Sequence, residues 1–346
     1  MAAMAHPTEP GHPTARTHGD EHAHAHGVEH GHAARGGTPR PRVGVVKLAS
    51  CDGCQLTILD LEDHLLELSE HFEIVDFPEA SSARSNGPYD VLFVEGSVST
   101  PDHLRRVGEL RKQARVLVTI GACATAGGIQ ALRNWADHDA YRAAVYPTPE
   151  FVESLARSTP IAEHVPVDFE LRGCPISPDQ LVELLTALVT GRRPQLRDEA
   201  VCMECKRRGV VCVMSAQGIA CLGQVTQTGC GAICPRMGRG CYGCFGPREQ
   251  ANAAGLARYL QASGERSAEE VGQLFAGFTA YAEPFRSAIT DLGGTRGARR
   301  TGGGGYVASG GYPAAGGHPA SGGPAPSRTS YLPARSRMEG IDDDGR

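Results

Sequence analysis

Residues Lys47–Leu61, KLASCDGCQLTILDL, decide the fold. They close an apolar, β-branched run, RVGVVKLAS at 42–50. They then pass through a Cys-x-x-Cys at Cys51 and Cys54 and enter an amphipathic stretch. A buried strand that feeds a turn and then a helix opens an α/β unit. The helix is expected over 55–69, with Leu56, Leu59 and Leu66 on one face. The thiol pair has three readings at this point: a redox dithiol, half of a zinc site, or half of an iron–sulfur site.

Outward from this stretch the pattern repeats. HFEIVDFP (71–78), YDVLFVEGSV (89–98), ARVLVTIGAC (114–123) and VPVDFELRGCP (165–175) read as strands. TPDHLRRVGELRKQ (100–113) reads as a helix with Thr100 as N-cap and Pro101 at its first position. TPEFVESLA (148–156) is expected to be helical. SPDQLVELLTALVTG (177–191) is expected to be a helix capped by Ser177 and stopped by Gly191. Strands alternating with helices predict an α/β fold, a doubly wound parallel sheet, over 42–191.

Residues 192–290 form a second region. Its first part, to 247, is poor in regular patterns and holds eight of the twelve cysteines. REQANAAGLARYLQ (248–261) and SAEEVGQLFAGFTAYAEPFR (267–286) then read as helices. Two tails flank the whole. Residues 1–41 are rich in His, Gly and Pro, and 291–346 are rich in Gly. Neither has hydrophobic periodicity, so both are expected to be disordered. The His cluster reads as a solvated arm with incidental affinity for nickel or zinc.

Composition narrows the function classes. A formal net charge of −5 gives no basic footprint for nucleic acid. No apolar run reaches the roughly 18 residues of a membrane span. The N-terminus has no apolar secretory core and no twin-arginine pattern, so a cytoplasmic location is expected. In that compartment twelve cysteines read as metal ligands or redox groups rather than disulfides.

Cys51, Cys123 and Cys174 each follow a predicted strand, so Cys51, Cys54, Cys123 and Cys174 are expected at one crevice beyond the carboxyl ends of the sheet. A thioredoxin-like dithiol leaves Cys123 and Cys174 unexplained. Structural zinc usually draws on compact knuckles rather than ligands spread over the sheet edge. A four-cysteine iron–sulfur cluster accepts such spacing. The remaining eight, Cys202, Cys205, Cys212, Cys221, Cys230, Cys234, Cys241 and Cys244, suffice for two further four-cysteine centres, with two zinc ribbons as the competing reading.

With the cysteines in place a family comes into view. CDGCQ (51–55), EGSV (95–98), GACATAGG (121–128), RGCP (172–175), CLGQVTQTGC (221–230) and GCYGCFGP (240–247) resemble the small, electron-transferring subunit of [NiFe] hydrogenases over about residues 42–250. Within that family the chain resembles the cytoplasmic, bidirectional, NADP-linked type, such as the delta subunit of sulfhydrogenase. A complex I subunit shares the first domain, but it uses adjacent cysteines and lacks the eight-cysteine segment.

The resemblance implies a flavodoxin-like domain followed by a cysteine-rich domain, and three [4Fe–4S] clusters. The proximal cluster would use Cys51, Cys54, Cys123 and Cys174. The medial one would use Cys230, Cys234, Cys241 and Cys244, and the distal one Cys202, Cys205, Cys212 and Cys221. Cys202 stands where uptake enzymes have a histidine ligand, and Cys234 where they commonly lack a cysteine and hold a three-iron centre. The implied partners are a large subunit holding NiFe(CN)2CO, a flavin subunit with FAD that reduces NAD(P), and a further iron–sulfur subunit. No catalytic residue is expected in this chain.

Some other residues have two readings each. Glu95 reads as a proton relay or hydrogen-bonding group, or as a structural carboxylate, and Gln55 as a hydrogen-bonding neighbour of Cys54. Thr125 reads as a donor to a cluster sulfide or as an N-cap. Trp135 reads as a core or interface anchor. Arg236, Arg239 and Arg248 read as a solvated face or a partner contact. An electron-transfer subunit for another acceptor (polysulfide, a deazaflavin or heterodisulfide reductase) is the alternative enzyme, and a zinc-binding interaction protein the alternative class.

Overall fold

The structure, a computed structural model, describes residues 40–264 and 266–293. The expectations for the His-rich arm and the Gly-rich tail fall on residues 1–39 and 294–346, outside the described residues. Five strands form one parallel sheet: β1 (Arg42–Lys47), β2 (Glu73–Asp76), β3 (Tyr89–Glu95), β4 (Ala114–Ile120) and β5 (Phe169–Leu171). Their order is β2-β1-β3-β4-β5, the flavodoxin-like winding that reverses between β1 and β3.

The strands are apolar almost throughout because both faces of the sheet are covered. Val43, Val45, Val91, Phe93, Val116 and Val118 point to one face, and Val46, Leu92, Val94 and Leu117 to the other. Helices α1 (Gly53–Leu59), α2 (Asp63–Ser69), α3 (Pro101–Gln113), α4 (Gly121–Ala126), α5 (His138–Val145) and α6 (Pro178–Thr190) connect or flank the strands. Ile58, Leu181 and Leu185 pack on the first face, and Val107 and Leu110 on the second. Thr100 caps α3 by accepting the His103 N–H at 3.2 Å. Ser177 stands at the N-cap of α6 without a side-chain cap, and Gly191 ends that helix at φ 69°.

Three expectations are corrected. The helix over 55–69 breaks at Asp60–Glu62, where Glu62 takes φ 48°. Of its expected apolar face, Leu56, Leu59 and Leu66, only Leu59 packs on the core. Leu56 and Leu66 are 51% and 67% exposed, while Ile58, Leu61, Leu65 and Leu68 pack on the sheet. Both stripes have helical spacing, and only the position of the sheet separates them. Residues 148–156 make one 3-10 turn at Pro149–Phe151 rather than a helix. The chain beyond it runs extended, because the N–H groups of Leu155 and Thr159 donate to the carbonyls of Ser99 and Val98. The helix over 267–286 stops at Phe275, short of Gly277 and Pro284.

The cysteine-rich segment contributes three short helices: α7 (Val201–Arg207), α8 (Val213–Gln217) and α9 (Ile233–Arg236). Helices α10 (Ala253–Gly264), α11 (Ala268–Phe275) and α12 (Phe285–Asp291) cover it. Leu256, Leu260, Val271, Phe275, Phe285 and Ile289 form a core of their own with Leu222 and Val225 of the segment. Trp135 packs on this core edge-on to Tyr281 at 5.9 Å, as an anchor. Thr279 donates to the Gly243 carbonyl at 2.7 Å and fixes the loop before Cys244.

Candidate metal centres

The turn after β1 is built by charge. Asp52 sits at φ 65° before α1 and is held by Lys47 Nζ at 2.6 Å and Ser50 Oγ at 3.1 Å. This exposes Cys51 and turns Cys54 inward. Cys123 lies in the first turn of α4, directly beyond β4. Cys174 follows β5, and its loop is tied to α4 by the Ala122 N–H donating to the Gly173 carbonyl at 2.7 Å.

These four thiols form one group. Burial raises the Cys54 thiol far above its usual range, with Glu95, Cys123 and Cys174 adding to the effect. Cys123 is pushed up to about 11 by burial, with further contributions from Cys174, Cys51 and Glu95. Cys174 is raised by burial and then by Cys51 and Glu95. Glu95 ends β3 beneath them. Its Oε1 accepts the Cys54 N–H at 3.2 Å and its Oε2 accepts Gln55 Nε2 at 2.9 Å. Burial raises its own pKa. The hydrogen-bonding reading of both residues therefore describes their geometry. Glu95→Ala strands two buried donors and is expected to destabilise the chain by about 2–4 kcal/mol, whereas Glu95→Gln keeps one acceptor and costs less. Thermal unfolding of the two variants checks this.

The second group is Cys202, Cys205, Cys212 and Cys221. Cys202 is raised by burial and then by Cys221 and Cys212. Cys205 is pushed up to about 11 by burial and then by Cys202, Cys221 and Cys212. Cys212 is the exposed member, held low by Ser215, whose Oγ lies 3.6 Å from its sulfur.

The third group joins the other two. Cys244 is pushed up to about 12 by burial and feels Cys230, Cys234 and, from the first group, Cys174. Burial raises Cys241 strongly. Among the cysteines it feels Cys221 of the second group first, whose sulfur accepts the Cys241 N–H at 3.2 Å, and then Cys244. Phe245 fills the space between Gly173 and Gly229, where a side chain on either glycine would meet its ring.

Several participants were missed in the sequence. Gln130 donates to the Ala49 carbonyl at 2.8 Å and lies 3.6 Å from the Cys123 sulfur, joining two loops of the first group. Glu204, between Cys202 and Cys205, accepts the N–H groups of Gly229 and Ala232 at 3.1 and 3.0 Å. It thus ties the Cys230 loop to α7. Thr125 is corrected: it neither caps a helix nor points a free hydrogen at a sulfur, since its hydroxyl donates to the Gly121 carbonyl at 2.9 Å.

A family model described as NADH ubiquinone oxidoreductase, 20 Kd subunit, matches residues 51–188, which span the first thiol group and stop before the other eight cysteines. The sulfhydrogenase 2 subunit delta of Pyrococcus furiosus is 38% identical over 221 residues, covering 64% of this chain and 92% of the relative. The chain belongs to the hydrogenase iron–sulfur subunits. It is thus an electron-transfer subunit of an oxidoreductase that acts on hydrogen. A vhu subunit of the F420-non-reducing hydrogenase of Methanococcus voltae is 30% identical, covering 69% of this chain and 94% of that one. The structure of an NAD+-reducing [NiFe]-hydrogenase in the H2-reduced state aligns with 46% of this chain and 96% of its own at 30% identity, with a TM-score of 0.43.

The subunit's residues fit iron–sulfur ligation. At Gly121, φ +82°, a side chain would collide with the Cys54 sulfur, and at Gly128, φ +66°, it would lie 2.7 Å from the Cys123 sulfur. Both glycines leave the thiols room to face a bulky group. Thr228 Oγ1, two residues before Cys230, is buried with no hydrogen-bond partner among the described residues and is available to donate to a sulfide. Among the described residues no three His, Cys, Asp or Glu side chains sit close enough to hold a single metal ion. No described helix is long and apolar enough to cross a membrane.

Proposed function

We propose that this subunit relays electrons through three [4Fe–4S] clusters. The route runs from a NiFe site in a partner large subunit to a cytoplasmic flavin subunit that reduces NAD(P), with a further iron–sulfur subunit in the assembly. Cys51, Cys54, Cys123 and Cys174 hold the proximal cluster. Cys230, Cys234, Cys241 and Cys244 hold the medial one, and Cys202, Cys205, Cys212 and Cys221 the distal one. The observation that carries this reading is the linear order of the thiol groups: the third group meets the first through Cys244 and Cys174 and the second through Cys241 and Cys221. An electron path needs such contiguity, and separate structural sites do not.

The clusters supply one-electron chemistry when bound. The chain supplies thiolate ligands, burial, and hydrogen bonds such as Cys241 N–H to the Cys221 sulfur, and these set the relative potentials. The buried, protonated thiols must release protons to bind iron. Glu95 keeps the Cys54 loop in place, and Thr279 and Phe285 pack on Gly243 between Cys241 and Cys244. The test is an anaerobic redox titration of the complex followed by electron paramagnetic resonance. Three distinct reduced cluster signals under hydrogen are expected, and a single signal would defeat the relay.

A further inference from the structure

Arg172 directly follows β5 and stands two residues before Cys174. Its guanidinium makes contacts in two directions. Nε and Nη2 donate to Glu170 Oε2 at 3.0 and 2.8 Å, within the same stretch of chain. Nη1 reaches across to the cysteine-rich segment, donating to Gln227 Oε1 at 3.2 Å and to the Pro247 carbonyl at 2.8 Å. Gln227 precedes Cys230 by three residues, and Pro247 follows Cys244 by three. These two stretches are themselves joined. The Gln227 N–H donates to the Gly246 carbonyl at 2.9 Å, and the Arg248 N–H to the Val225 carbonyl at 2.9 Å. One side chain thus grips both flanks of the third thiol group from the loop that carries a thiol of the first.

Cys174 and Cys244 meet at this joint. Phe245 closes part of it by packing: its buried ring would lie 2.7 Å from a side chain on Gly173 and 2.5 Å from one on Gly229. Around Arg172 the joint is open instead. A cavity of about 190 Å³, lined by Arg172, Pro247, Thr125 and Tyr281, borders the guanidinium, as does a cleft of about 620 Å³ lined by Arg172, Gln227 and Pro247. With space beside it, the two Nη1 bonds are what span the joint at this point. The bland alternative is a surface ion pair, since the Arg172 and Glu170 side chains are 31% and 27% exposed. Such pairs contribute little, and this one leaves the two bonds to neutral acceptors on the far side unexplained.

We infer that Arg172 is a positioning residue for the relay: it holds the Cys174 loop against the stretches that carry Cys230 and Cys244, and so fixes the gap between the first and third thiol groups. The inference deepens the relay proposed above and rests on it. Electron tunnelling falls steeply with distance, so a strut at the gap sets the rate without touching either thiol. The planar guanidinium serves Glu170 on one edge and the far acceptors through Nη1. The single ammonium of a lysine cannot hold all three in that geometry.

The test uses the anaerobically purified complex, mixed with hydrogen and frozen at intervals for electron paramagnetic resonance. In Arg172→Met, iron and sulfide should be unchanged and the first group should be reduced at the wild-type rate. The third group should be reduced at least about tenfold more slowly, and the magnetic coupling between the two reduced centres should weaken. Arg172→Lys should fall between the two. Glu170→Gln removes the ion pair but keeps the Nη1 bonds, and should slow the step by less than about threefold. Should Arg172→Met fail to fold, Gln227→Met removes one of the two bonds across the joint and is expected to slow the same step about threefold. An unchanged rate with unchanged coupling, an equal loss in Glu170→Gln, or slowing with shifted potentials and intact coupling overturns the inference. A complex whose small subunit holds no iron overturns the relay itself, which is a separate result.

Discussion

A Cys123→Ser chain is expected to lose about a third of its iron and acid-labile sulfide, one cluster of three, and to lower hydrogen-driven reduction of the terminal acceptor at least about 100-fold. Cys123 lies in the first turn of α4, where it feels Cys51 and Cys174, and Gln130 stands 3.6 Å from its sulfur. Serine keeps the size and the Gln130 contact but is a poor ligand for iron. The fold should survive, because the side chain lies at the crevice rather than among the packed valines of the sheet. Signals from the other two clusters should persist, since their thiols all come from the segment beyond residue 200. Full activity with Cys123 replaced would mean that this group does not receive the electrons.

Glu204→Ala is expected to act between two groups at once. The carboxylate is the acceptor for Gly229 and Ala232, and Ala232 is held at φ 55°, a conformation that costs a non-glycine residue about 1 kcal/mol or more. Without it two partly buried N–H groups lose a charged acceptor, worth about 3 kcal/mol together, and the loop that carries Cys230 is released. Iron occupancy of the medial and distal centres should fall, and electron transfer with it, by about 10- to 100-fold, as for other residues that orient ligands. Glu204→Gln should recover part of the loss, because its amide oxygen serves one N–H while its NH2 opposes the other. Iron analysis alongside stopped-flow reduction of an external acceptor reads both effects. An alanine variant with full iron and an unchanged rate would make Glu204 an ordinary surface carboxylate.

Much of this architecture was legible in the chain. The all-apolar runs at 43–46, 91–94 and 116–118 could only be buried strands, and the cysteines placed just after them located the crevice. What was not legible depended on neighbours. Leu56–Leu66 and Ile58–Leu68 are equally good helical stripes, and tertiary packing chose the second. Residues 148–156 have a helix start in Thr-Pro, yet the Leu155 N–H donates to Ser99 and, just beyond, the Thr159 N–H donates to Val98. The roles of Glu204 and Gln130 depend on partners 25 to 81 residues away along the chain, and no local pattern records such pairings.

The proposed relay with three clusters rests on thiols that lie close to one another through Cys174, Cys244, Cys241 and Cys221. The same twelve thiols would serve zinc equally well by chemistry alone. Iron, acid-labile sulfide and zinc per chain, measured on anaerobically purified protein, therefore separate the two chemistries. Three [4Fe–4S] clusters correspond to about twelve iron and about twelve sulfide with no stoichiometric zinc. About three zinc ions with no sulfide would contradict the relay and leave the cysteines as structural ligands.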